Sequence, residues 1–140
     1  MKKHIFDNLS YTAGLFDGEG SVLLSYKQKD AKFRHPYVSL SSTTYDLLMF
    51  LKKHYGGHIC KQKTYQTHHK KAWSWKLYGR SAITFLQLIY PHLKEHGKYH
   101  RAKLIATKYL QVTIRNGKYT KEQLRCKQAF EKEFFHPSKP

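Results

Sequence analysis

The chain has 140 residues, with 26 Lys and Arg against nine Asp and Glu, a formal charge of +17 and a pI near 9.9. Hydrophobic residues make up 40% and aromatics 15%, enough to bury a core, which excludes a disordered basic tail. The charge calls for a polyanionic partner, and no stretch approaches the ~20 apolar residues of a membrane span, so nucleic acid is expected and a membrane is not.

The start, MKKHIFDNLS, carries two lysines with no apolar run behind them and does not read as a signal peptide. Cys60 and Cys126 lack paired spacing and read as ordinary thiols of a reducing compartment, hence an intracellular protein, in cytoplasm or organelle. One domain over residues 1–140 is expected. No internal repeat is visible, so any symmetry the function needs must come from a second copy of the chain.

Leu9 to Phe16 form a short apolar segment that runs into DGEG, predicting a helix over about 8–18 stopped by glycine. SVLLSYKQK and YVSLSS then alternate as strands do, joined by the charged turn DAKFRHP. In the first, Val22, Leu24 and Tyr26 share one face, and Ser21, Leu23, Ser25 and Lys27 the other. TTYDLLMFLKKHYGG reads as a helix with a capping-type threonine, an apolar stripe at Leu47, Leu48 and Leu51, and a Gly56-Gly57 stop. HICKQKTY and AWSWKLYG form a second strand pair around the histidine-rich tip QTHHKK. Trp73, Trp75 and Leu77 alternate with Ser74 and Lys76, predicting one dry and one wet face. RSAITFLQLIYPHL is a helix ended by Pro91, and two further helices span about 98–135. This order gives an α+β domain with helices packed on one face of a four-stranded sheet.

The wet face is where the cations gain a purpose. Ser25, Lys27, Lys29, Tyr37, Ser39, Ser41, Ser74 and Lys76 mix hydrogen-bonding tips with positive charge, which suits reading base edges while holding phosphates. Arg34, Lys61 and Lys63 join them as expected nucleic-acid contacts. The face of strand 58–65 stays open: Ile59 puts Lys61 and Lys63 on its own side, whereas His58, Cys60 and Gln62 form the other.

YTAGLFDGEGS, residues 11–21, sets Asp17 and Glu19 two apart in a chain that avoids acids. On a helix, Ser10, Gly14 and Gly18 fall at i, i+4 and i+8 with Ala13 beside them, a small-residue stripe over which two backbones can approach closely. The alternative is a short helix packed tightly on its own sheet. The acids stand at a helix C-terminus, where negative charge is disfavoured by a few tenths to ~1 kcal/mol. A hard divalent cation reverses that sign, because carboxylate and carbonyl oxygens are its preferred ligands. Pairing of Asp17 with a neighbouring cation is the plain alternative.

TAGLFDGEG, Thr12 to Gly20, resembles the LAGLIDADG signature of homing endonucleases. Ala13, Gly14, Leu15, Asp17 and Gly20 match it; Thr12 replaces its first leucine, Phe16 its isoleucine, Gly18 its alanine and Glu19 its second aspartate. The helix-strand-strand-helix-strand-strand order, and PHLKEHGKYHRAKL where the family has a proline, lysine and QA-like segment, extend the resemblance over roughly residues 8 to 110. It implies an αββαββα fold with a saddle-shaped antiparallel sheet over double-stranded DNA. It further implies that motif helices of two subunits pack through the small-residue face, with Ser10, Ala13, Gly14, Asp17 and Gly18 at the interface of a homodimer. Two-fold symmetry then implies a long pseudo-palindromic target cut by phosphodiester hydrolysis. Glu19, with a backbone carbonyl near Gly18, would hold Mg²⁺ or another divalent cation such as Mn²⁺. A basic residue near the site falls at Lys98, with Lys94 as substitute if two residues are extra after Pro91. A polar residue after the second strand aligns near Ser42 or Thr43.

His96 and His100 are four apart but lack a third zinc ligand. His68-His69 reads as a hairpin tip, HPSKP as a frayed tail, and Tyr11 as core. No GxSxG, Walker-type or Rossmann loop occurs, which leaves nucleotide hydrolysis and hydride chemistry without support. The leading reading is an intron-homing, site-specific DNA endonuclease. The alternatives are a group I intron splicing cofactor bound to intron RNA, a non-cleaving DNA-binding protein on the same fold, and an unrelated basic RNA-binding module. Retention of Glu19 favours cleavage, because a carboxylate near phosphates weakens binding unless a cation lies between them.

Overall fold

The computed structural model describes residues 2–63 and 70–138, and of residues 2–7 only the backbone. The chain runs α1 (Lys2–Glu19), β1 (Gly20–Ser25), β2 (His35–Ser42), α2 (Tyr45–Tyr55), β3 (His58–Lys61), β4 (Trp73–Tyr78), α3 (Gly79–Ile89), a 3-10 turn (Tyr90–His92), α4 (His96–Val112) and α5 (Lys121–Phe135). The sheet is antiparallel throughout, in the order β1-β2-β4-β3. Helices cover one face, as the alternation of apolar and polar residues requires. Val22, Leu24, Val38, Leu40, Trp75 and Leu77 are buried beneath them with Phe16, Leu48, Leu51, Phe85, Leu86 and Ile105.

The elements depart from the sequence expectation mainly at their ends. DGEG does not stop α1, which continues through Gly18 and Glu19. A glycine stop normally takes a left-handed conformation, and the positive-φ glycines are Gly56, Gly57, Gly79 and Gly117, not these. The chain turns at Gly20, where the Phe16 ring lies in the space that a Cβ would take. The predicted strand to Lys29 ends at Ser25, so Lys27 and Lys29 belong to the connection to β2, and β2 begins two residues earlier, at His35. Thr44 holds the N-cap position of α2, yet its hydroxyl caps nothing; Ser42 Oγ instead accepts from the Thr44 amide at 2.9 Å. Strand 58–65 pairs only as far as Lys61, and His68-His69 lie outside the described residues. α4 starts at His96 because the Glu95 carboxylate accepts from the Gly97 and Lys98 amides, closing its first turn.

α5 closes over the β1–β2 connection. Arg34 Nη1 donates to Glu131 at 2.7 Å, and its guanidinium lies 4.5 Å from the Tyr26 ring and 4.6 Å from that of Phe135. Next to this pair Lys127 is almost fully buried, donating to Thr113 Oγ1 at 2.6 Å with its ammonium 4.2 Å from the Tyr109 ring. Burial pulls its pKa down to about 8, opposed by the Glu131 carboxylate. Between pH 8 and about 10 the unfolded chain therefore holds a proton that the folded chain has released, and stability rises with pH. Urea unfolding of the native chain is expected to gain about 1–3 kcal/mol across that window, and Lys127→Met, which keeps the volume and removes the charge, is expected to flatten the rise.

Candidate active site and nucleic-acid face

The C-terminal end of α1 separates the two acids. Asp17 turns inward: its carboxylate accepts from the Lys94 amide at 2.8 Å and the Glu95 amide at 3.1 Å, tying the end of the motif helix to the start of α4. Lys98 completes the tie from the opposite polarity. Its ammonium donates to the carbonyls of Asp17 at 2.5 Å and Phe16 at 3.3 Å, the groups a helix end leaves without partners. The count from RAKLI that singled out Lys98 over Lys94 thus lands on the lysine whose side chain meets the motif helix; Lys94 meets it through its amide. Asp17, expected at a subunit interface, is a ligand of its own chain's amides, and that expectation is corrected.

Glu19 points the other way. It is exposed, and among the described residues it makes no hydrogen bond or ion pair. It lines an open cleft of about 560 Å³ with Leu15, Leu47, Ala72 and the hydroxyl-rich end of β2, Ser41 to Thr44. Ser42 and Thr43 thus lie where the polar residue after the second strand was expected. His96 and His100 gather no ligand set: among the described residues no group of three His, Cys, Asp or Glu comes together, and His100 Nε2 faces Glu133 at 3.5 Å. Cys60 and Cys126 are both free and exposed.

The small-residue stripe divides as well. Ser10, Gly14 and Gly18 are exposed, and a Cβ built on either glycine meets nothing within 4 Å. These glycines therefore do not serve close packing on the chain's own sheet. Ala13 is 2% exposed and belongs to the core, which corrects its assignment to the interface. Thr12, buried in place of the signature leucine, accepts a 2.9 Å hydrogen bond from the Tyr55 hydroxyl. Tyr11, expected in the core, is 48% exposed and packs edge-on against Phe50.

The sheet face away from the helices carries Ser25, Tyr37, Ser39, Ser41, Ser74 and Lys76, in register as Tyr37↔Tyr78, Ser39↔Lys76 and Ser41↔Ser74. Pairing of β3 settles its orientation: Cys60 stands opposite Ser74 and Lys61 opposite Trp73. His58 and Cys60 therefore join the open face, and Lys61 stands on the helix side of the edge, contrary to its expected place there; Lys63 lies past the strand. Arg34 is likewise corrected, since its guanidinium is committed to Glu131. Ser74 is buried: its hydroxyl lies 2.7 Å from that of Ser41, and the Gln62 side-chain amide donates to both at 2.8 Å. Sequence reasoning missed Gln62, although the parity His58, Cys60, Gln62 carried the signal. It also missed Glu95, because glutamate is an uncommon N-cap.

No protein-family model and no curated protein matches the sequence. Among solved structures, the homing endonuclease I-TnaI is similar over 93% of this chain and 89% of its own, with a TM-score of 0.62 at 19% identity. I-CvuI, a homing endonuclease in complex with DNA, is similar over 91% and 97%, with a TM-score of 0.52 at 14% identity. The LAGLIDADG homing endonuclease I-GzeII, in complex with its DNA target, is similar over 93% of this chain but only 44% of its own, with a TM-score of 0.61 at 17% identity. The fold is that of the LAGLIDADG homing endonucleases, and the likeness read from residues 12–20 extends to the architecture around them.

Asp17→Ala is expected to leave two amides without their acceptor and to lower stability by about 1–3 kcal/mol. Hydrogen exchange at Lys94 and Glu95 should quicken more than exchange at the centre of α4.

Proposed function

We propose that the chain is a site-specific double-stranded DNA endonuclease acting as a homodimer on a pseudo-palindromic target, with a divalent cation at Glu19. The observation that carries this reading is the exposed Glu19 carboxylate at the end of a helix whose Ser10–Gly14–Gly18 face meets nothing in its own chain. In a protein of charge +17, an acid with 26 potential cationic partners that faces an open cleft is accounted for by a ligand. The fold shared with I-TnaI, I-CvuI and I-GzeII supports nuclease activity, and the DNA complexes of the latter two support DNA as the partner. I-CvuI has been crystallised on DNA with magnesium and with calcium, which supports a divalent cation. The near-complete match to I-TnaI and the half-length match to I-GzeII support one copy of this chain as half of a working unit.

The donors available at the site, the Glu19 carboxylate and the Gly18 carbonyl, are hard oxygens of the kind Mg²⁺ or Mn²⁺ prefers. One chain offers too few of them, and a second Glu19 with DNA phosphate oxygens would complete the set. Bound there, the cation supplies an activated water and charge stabilisation at the leaving 3′ oxygen. The protein's own part is positional. Asp17 and Lys98 fix the carbonyl end of α1, so that Glu19 is presented from a rigid helix. Lys76, Lys27 and Lys29 surround the open face with positive charge that holds the duplex.

Glu19→Gln is expected to abolish magnesium-dependent cleavage while leaving gel-shift affinity for the target within a few-fold; cutting at the native rate would remove the catalytic assignment. Gly14→Leu enlarges a position with open space around it, so the monomer should fold as before. Sedimentation is expected to show loss of the dimer, and an unchanged assembly would argue against pairing through the motif helices.

A further inference from the structure

At the opposite end of the open face from Glu19 the sheet forms a small aromatic concavity. β1 starts beside Glu19 and ends at Ser25, so the two sites stand about 17 Å apart along the strand. The concavity, about 220 Å³, is walled by Tyr26, Lys27, His35, Tyr37 and Tyr78 with Gly79 at its rim. Tyr37 and Tyr78 face each other across β2 and β4 with ring centres 5.4 Å apart and planes 22° from parallel. His58, from β3, continues the row 5.9 Å from Tyr78. Tyr78 is 49% exposed and Tyr26 47%, a large aromatic surface left uncovered on a strongly basic protein.

Its position is built, not incidental. The Arg34 guanidinium that pairs with Glu131 also lies over the Tyr26 ring, so α5 holds that wall of the concavity in place. On the inner side, the Tyr109 hydroxyl lies 3.5 Å from His35 Nδ1 and orients the imidazole. Burial and the positive charge of Lys27 and Lys127 lower the His35 pKa, so near neutral pH it is an uncharged hydrogen-bonding ring and the positive charge is left to Lys27.

We propose that this concavity binds one unpaired nucleotide, its base against the tyrosine rings and its phosphate on Lys27. Size and shape decide between an unpaired base and a duplex. At roughly 30 Å³ per water, the space holds about seven to eight non-hydrogen atoms, the scale of a single base. A base within a duplex is covered by stacked neighbours and cannot enter a space walled by rings. Aromatic side chains bind unpaired bases with little regard to sequence, since every base offers a π-face. The ligand chemistry is the same whether the nucleotide comes from a single-stranded DNA end or from RNA. This site does not depend on the metal chemistry proposed for Glu19 and would stand if that reading failed.

Fluorescence anisotropy with one labelled duplex, blunt or carrying a short oligothymidylate or oligouridylate overhang, tests it without any cleavage. The overhang is expected to tighten binding, and Tyr78→Ala to cancel that gain, by about 5- to 100-fold, while affinity for the blunt duplex changes far less. Tyr78→Phe should keep the gain and Lys27→Ala should reduce it. The latter sits in a connection and leaves the sheet intact should Tyr78→Ala fold poorly. Comparison of the two overhangs tells whether DNA or RNA is the better source. Equal loss on blunt and overhang duplexes in Tyr78→Ala, or no gain from either overhang in the native chain, would overturn the proposal.

Discussion

A helix that ends at a functional site has four carbonyls without partners and a partial negative charge. Placing a carboxylate beside that end compounds the cost. Here the whole arrangement depends on how the end of α1 is neutralised. Lys98 supplies an ammonium to the Phe16 and Asp17 carbonyls, while Asp17 takes the Lys94 and Glu95 amides that stand before α4. Each helix end is thus satisfied by the other: the carbonyl end of one receives a lysine, and the amide end of the other receives an aspartate. Glu95 then caps α4 from within, so the same short segment closes both helices. With its neighbour's charge and the helix end both compensated, Glu19 alone is left facing out.

That division explains why one acid of the pair was legible and the other was not. Glu19 and Asp17 differ by two positions, about 200° around a helix, so they cannot share a direction. Nothing in the local sequence shows which of them faces Lys94 and Glu95, 77 and 78 residues further along. Strand faces were easier, because period-two alternation is a local property. Val22 and Leu24, Val38 and Leu40, and Trp75 and Leu77 all lie inside as their alternation required. β3 resisted the same logic, since only Ile59 marks a face and the strand is four residues at an edge. Its orientation had to come from pairing with Trp75.

Misplaced site residues share a physical cause. Arg34 and Ser74 were expected to face nucleic acid because polar residues next to a wet face have no other evident partner. Tertiary structure supplied partners: Glu131, 97 residues away, for Arg34, and Ser41 with Gln62 for Ser74. Ala13 went astray for the opposite reason. Its small side chain fits the stripe, yet it falls on the flank that packs against the core, and 2% exposure leaves nothing for a second chain to touch. Ser10, Gly14 and Gly18 do form that stripe, and its openness could be verified only once neighbouring helices were in place.

The open stripe and the buried flank together constrain what the chain can do alone. Glycine inside a helix costs about 1 kcal/mol relative to alanine, and a Cβ at Gly14 or Gly18 would collide with nothing in the same chain. The monomer thus has no steric use for either glycine, although alanine there would strengthen its helix. A second backbone approaching along this face does have such a use, because only the absence of side chains lets two helices come close. The same approach would carry two copies of Glu19 toward one another and supply the oxygen ligands that a single chain lacks. Like charges brought together in this way repel unless a cation lies between them. Dimerisation and metal binding are therefore coupled on the proposed reading: the surface that wants a partner is the surface whose partner makes a cation necessary.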